Sequence, residues 1–134
     1  MLTRPDAGLR FLRFQGPVIA YLILITLVSS LPGDKIPPLG LKFGDKVVHA
    51  LEFGLLGILM FRALRFPRLI VPVPYRATLV LGMLFAVVDE FHQYFVPGRY
   101  CAFGDFLADT IGIALFAGIS ALQHPGGEKD SSLF

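Results

Sequence analysis

Eleven residues, Asp89-Glu90-Phe91-His92-Gln93-Tyr94-Phe95-Val96-Pro97-Gly98-Arg99, hold most of the chemistry this chain offers in one stretch. Carboxylates and an imidazole accept and release protons near neutral pH, and an arginine close by can hold an anion. Two further constellations match it. Upstream, His49 stands four residues from Asp45 and three from both Lys46 and Glu52, and downstream Asp105 and Asp109 are four apart. On a helix those separations put side chains on one face, so one element would present a lysine and a histidine and two others would present carboxylates. Asp89 and Glu90 reach Gln93 by the same spacing.

These residues admit several chemistries. Lys46 and Arg99, each near a helix start, can hold a phosphate or carboxylate, or they can simply neutralise Asp89, Glu90 or Asp105. His49 and Glu90 are the candidates for proton transfer if the chain is an enzyme. His49, Glu52, Asp89, Glu90, His92 and Asp109 include enough nitrogen and oxygen donors for a zinc or manganese ion, but no H-E-x-x-H run is present, and no metal or cofactor is expected. Ser29, Ser30, Thr78, Thr110 and Cys101 lie in no nucleophile-elbow setting. The lone Cys101 excludes an internal disulfide and reads as a packing residue. A network of ion pairs that only fixes how helices pack would use the same residues.

The elements that carry these groups are apolar. In 134 residues, 54% are hydrophobic and 16% charged, and the mean hydropathy of +0.67 is that of an integral membrane protein. A net charge of +2 without a basic-aromatic surface excludes nucleic acid as a partner and leaves membrane lipids. Asp89 follows twelve apolar residues from Ala77 to Val88. As a helix these reach only about 18 Å into a hydrocarbon layer of ~30 Å, so Asp89 and Glu90 fall within the span or at its rim. An ionisable group there faces partners or water.

Proline and glycine punctuate the chain into four helices at about 17–31, 46–62, 76–96 and 103–122, with a mobile polar tail at 123–134. Arg4, Arg10 and Arg13 precede the first helix, which is expected to be retained rather than cleaved as a leader. Gly104, Ala108 and Gly112 form a small-residue stripe suited to close helix packing. The expected architecture is an all-α membrane protein: one domain over 1–134, a compact bundle of four transmembrane helices. With both termini cytoplasmic, eight of the twelve lysines and arginines fall inside, four of them in Arg62–Arg76 where no acid occurs. The polar motifs then share the outer side.

Taken together, Ser29-Ser30-x-Pro32, Asp45-Lys46-x-x-His49-x-x-x-Phe53, Asp89-Glu90-x-x-Gln93-x-Phe95-x-Pro97-Gly98-Arg99 and Asp105-x-x-Ala108-Asp109-x-x-Gly112 resemble the VanZ-like family of small bacterial membrane proteins. Asp109 departs from the asparagine usual there. The resemblance implies a multi-pass protein of the bacterial cytoplasmic membrane, acting in the cell envelope and linked through the family's namesake to teicoplanin susceptibility. It implies a functional set of Asp45, Lys46, His49, Asp89, Glu90, Gln93, Arg99 and Asp105, with Asp109 added by position, and a lipid-linked or cell-wall-related ligand. A non-enzymatic binding protein and an intramembrane enzyme acting on a lipid-linked phosphate both fit that set.

Overall fold

In the computed structural model, residues 7–38, 40, 43–65 and 74–124 are described, and every regular element among them is helical. Five α-helices follow one another: α1 (Ala7–Phe14), α2 (Gly16–Ser29), α3 (Gly44–Arg65), α4 (Pro74–Tyr94) and α5 (Phe103–Gln123), with a short 3-10 turn at Gly33–Lys35. The last four correspond to the helices expected from the sequence, with the start of α5 at the expected residue and the other ends shifted by one to three residues. The expected tail from 125 onward and the arginine-rich connection at 66–73 lie outside the described residues.

The added element is α1, formed from the stretch that reads as a basic lead-in. It bends from α2 by 46°. The break falls where Pro17, in the first turn of α2, has no N–H to give to a preceding carbonyl. Gln15 ties the elbow to α3 by donating to the Ala63 carbonyl at 3.2 Å, and the Arg62 guanidinium lies 5.5 Å over the Phe14 ring.

α3 and α5 form the closest pair, α4 lies against both, and α2 packs on α3 and α4. Ile25, Phe53, Leu56, Ala86 and Ile113 make the fully buried core between them. Small residues set the α3–α5 approach: a Cβ at Gly112 would overlap the Ala50 carbonyl, so the backbones are nearer than any side chain would allow. At one end of the helices, the Gly33 N–H donates to the Pro97 carbonyl at 3.0 Å. Gly98 takes a left-handed φ of 72° there, and a Cβ on Gly33 would overlap its carbonyl.

The exterior is apolar. Ile23, Leu27, Leu51, Leu55, Leu81, Leu84, Val88, Leu115 and Ile119 are exposed, while His49, Asp89, Glu90, Gln93, Asp105 and Asp109 are buried. Water would penalise that inversion and lipid would favour it. By length and composition α3 and α5 can each cross a membrane, and the bent α1–α2 pair adds a third span if it acts as one. α4 is 21 residues long but ends in Asp89, Glu90, His92 and Gln93, which removes it from that group.

Adding a methyl in a helix interior normally gains roughly 1 kcal/mol over glycine. Gly112→Ala is expected to reverse that sign and destabilise by about 1–3 kcal/mol, because the methyl meets rigid backbone rather than space. Denaturant unfolding of the detergent-solubilised protein followed by circular dichroism measures it, and a stabilised Gly112→Ala protein would show that the two helices are not pressed together at this point.

Candidate functional site

The polar side chains gather where α2 ends, α3 begins, α4 ends and α5 begins. Chain direction and the two loops bring these ends together. Pro32-Gly33 stops α2, Pro97-Gly98 turns the chain after α4, and the Gly33–Pro97 hydrogen bond joins the two turns.

Lys46, in the first turn of α3, reaches across to Asp105 in the first turn of α5 and also donates to Asp45 at 2.8 Å. Asp105 is buried, so the lysine removes a charge that would otherwise stand alone. One turn along α3, His49 Nδ1 lies 2.9 Å from Asp109 Oδ1. A carboxylate accepts, so Nδ1 carries the hydrogen and Nε2 keeps its lone pair when the ring is neutral. Glu90 comes in from α4: its Oε2 accepts the Ala102 N–H at 2.9 Å, while Oε1 is buried with no hydrogen-bond partner among the described residues. Donor atoms from His49, Glu90 and Asp105, one on each of three helices, all lie within 4.8 Å of one another, close enough to be considered together as ligands for a cation. Asp109 Oδ2 is a second buried oxygen without a partner.

Asp89 belongs to a separate group facing α2. Its Oδ2 accepts from Ser29 Oγ at 3.0 Å and from Gln93 Nε2 at 2.8 Å. Ser29 is the member that spacing arguments within one helix miss, since its role depends on how α2 is rotated against α4. The run Ser29-Ser30-x-Pro32 was the only signal for it in the sequence.

Arg99 makes no ion pair among the described residues. It donates from Nε to the Leu31 carbonyl at 3.2 Å and from Nη2 to the Val28 carbonyl at 3.1 Å, satisfying the otherwise open end of α2. His92 is also apart from the cluster. The Ser30 hydroxyl hydrogen goes to the Thr26 carbonyl at 2.6 Å, so His92 Nε2, 2.9 Å from Ser30 Oγ, acts as the donor in that contact. Glu52, three residues after His49, is half-buried, and its backbone carbonyl accepts from Tyr21. Thus Lys46, His49, Glu90, Asp105 and Asp109 form one group, Asp89 and Gln93 a second, and Asp45 and Arg99 flank them.

An open pocket of about 780 Å³ lies over this end, lined by Asp45, His49 and Arg99 together with Gly33, Ile36 and Pro37 of the α2–α3 loop. His49 therefore belongs both to the buried group and to the pocket wall.

Lys46→Met is expected to destabilise by about 1–3 kcal/mol, less than the ~3–5 of a fully buried pair because the lysine side chain is 33% exposed. Asp105→Leu added to it should recover part of that loss, with a coupling of roughly 0.5–3 kcal/mol in a double-mutant cycle of unfolding free energies. Strict additivity of the two changes would mean that the pair does not act as a unit.

No curated protein and no solved structure matches the chain. A family model does, over residues 9–123 and so from within α1 to the end of α5 and across every residue of the site described above, and its description is VanZ/LLP1. With that much of its length matched, this chain belongs to the VanZ/LLP1 family.

Proposed function

We propose that this protein is a single-domain, multi-pass component of a bacterial cytoplasmic membrane. Its four longer helices span the bilayer as a bundle, both termini are cytoplasmic, and its pocket opens outward to bind an envelope component. A lipid-linked or cell-wall-related ligand would engage Asp45, His49 and Arg99 at the pocket wall, and sequestering such a ligand would alter susceptibility to glycopeptides such as teicoplanin. The observation that carries this reading is the pocket itself, which is open and lined by three members of the polar set at the end where all four motifs meet. The apolar exterior supports the membrane setting. The orientation is supported by the excess of lysine and arginine on the side opposite the site.

A second reading, an intramembrane enzyme acting on a lipid-linked phosphate, draws on the buried Glu90 Oε1 without a partner beside His49, a carboxylate oxygen left open for proton transfer. Lys46 serves it poorly as a phosphate clamp, since it is already engaged with two carboxylates.

Topology is testable with the native thiol. Cys101 is exposed at the polar end and is expected to react in whole cells with a membrane-impermeant maleimide, as is Ile36→Cys in a Cys101→Ala background. Arg62→Cys in that background should react only after permeabilisation; the reverse pattern would invert the protein in the membrane.

Native mass spectrometry of the purified full chain against polyprenyl phosphates and cell-wall precursors tests the function. Binding without conversion is expected, with affinity lowered about tenfold, equivalent to ~1.4 kcal/mol, in His49→Ala and Arg99→Ala. Conversion of a lipid phosphate that Glu90→Gln abolishes would replace the binding reading with the enzymatic one.

A further inference from the structure

We infer that His49, Glu90 and Asp105 form a site for one divalent transition-metal ion, Zn²⁺ or Mn²⁺, between three helices and beside the pocket that His49 also lines. The three come from α3, α4 and α5, so no local sequence motif announces them, yet their donor atoms lie within 4.8 Å of one another. Ligands about 2.1 Å from a tetrahedral ion stand roughly 3.4 Å apart, so the loosest pair has to draw in by no more than about 1.4 Å, within reach of side-chain rotation.

Three independent features point to a cation rather than to ion pairing alone. Glu90 is 4% exposed, and its Oε1 has no hydrogen-bond donor among the described residues. A buried carboxylate oxygen left so costs free energy that a cation would recover. Second, His49 gives its Nδ1 hydrogen to Asp109, an arrangement that fixes the ring and directs the Nε2 lone pair elsewhere. Metal-binding histidines characteristically carry such a carboxylate behind them. Third, charge does not balance. Glu90, Asp105 and Asp109 are buried together, and the cations facing them are Lys46, shared with Asp45, and a histidine whose second nitrogen is open.

One nitrogen and two carboxylate ligands suit Zn²⁺ or Mn²⁺ better than Mg²⁺ or Ca²⁺, which favour oxygen throughout, and no thiolate is present to select a softer ion. Three protein ligands leave a coordination position open, and because His49 also lines the pocket, an anionic group entering there could complete the shell. Lys46 is shared between Asp105 and Asp45, and Arg99 stands at the pocket wall on the α2 carbonyls, outside this group, so the remaining positive charge among the buried acids would come from the ion. The site is argued from this chain's own side chains and stands whether or not an envelope ligand is found.

The experiment uses the full-length protein in detergent, stripped with a chelator and dialysed. Mn²⁺ is titrated by electron paramagnetic resonance and Zn²⁺ by calorimetry, with circular dichroism confirming the helical fold of every variant. One saturable site per chain is expected. Glu90→Gln and Asp105→Asn should weaken it by at least 100-fold. Asp109→Asn, which removes the charge behind His49 but can still accept its hydrogen bond, should weaken it by about tenfold. Asp34→Asn, an exposed acid outside the pocket lining, should bind as the unaltered protein does. The absence of saturable 1:1 binding to the folded unaltered protein overturns the site, and needs no variant to do so. Binding that survives in folded Glu90→Gln overturns the ligand assignment.

Discussion

Charge removed from water must find a partner, and in a protein with an apolar exterior that requirement shapes everything at its polar end. Asp89, Glu90, Asp105 and Asp109 are buried between helices whose outer faces carry leucine, isoleucine and valine. Each carboxylate has its own partner: Asp105 has Lys46 and Asp109 has His49, both from α3, Asp89 has Ser29 of α2 and Gln93 of its own helix, and Glu90 has a main-chain N–H. Because all of these contacts but the one from Gln93, which lies on α4 with Asp89, join two helices or join a helix to the loop beyond it, helix position and site geometry are one problem. The glycines on α3 and α5 solve part of it by letting the two backbones approach until Lys46 and His49 can reach the acids opposite.

The two polar groups differ in how complete they are. Around Asp89 the donors are neutral, short-range and satisfied, the pattern of a fixture that holds α2 against α4. Around Glu90 two carboxylate oxygens, its own Oε1 and Oδ2 of Asp109, have no donor among the described residues, and a histidine that lines an open pocket lies alongside. Satisfied networks rigidify, whereas buried atoms left open mark where a molecule is prepared to receive something. The open oxygens therefore lie on the α3–α4–α5 side of the cluster, and the satisfied ones on the side that meets α2.

Much of this was legible in the residues before any coordinates. Hydrophobic runs between prolines and glycines located four of the five helices, and the positions of Lys46 and Asp105 at facing helix starts made their meeting predictable. The pairing of Ser29 with Asp89 was not, because it depends on the rotation of α2, which a helix with apolar residues all round does not encode. Nor was α1, whose eight residues resemble a charged leader until the elbow at Pro17 is seen. Of the two roles open to Arg99, holding an anion or neutralising an acid, it does not take the second among the described residues and meets carbonyls instead, since the open end of α2 has backbone groups that also need partners. Asp105 was placed in the functional set but not among the possible metal donors, and its nearness to His49 and Glu90 emerges from the crossing of three helices.

The hydrogen bond from Ala102 to Glu90 comes from the main chain, so it is indifferent to which side chain occupies position 102. Eighteen of the other nineteen amino acids carry the same N–H; proline alone lacks it. The loop between α4 and α5 can thus drift in sequence over evolutionary time without releasing the glutamate. Variation at Tyr100, Cys101 or Ala102 among relatives would carry little information about whether the carboxylate is held, since the element that positions it is written in backbone geometry rather than in residue identity.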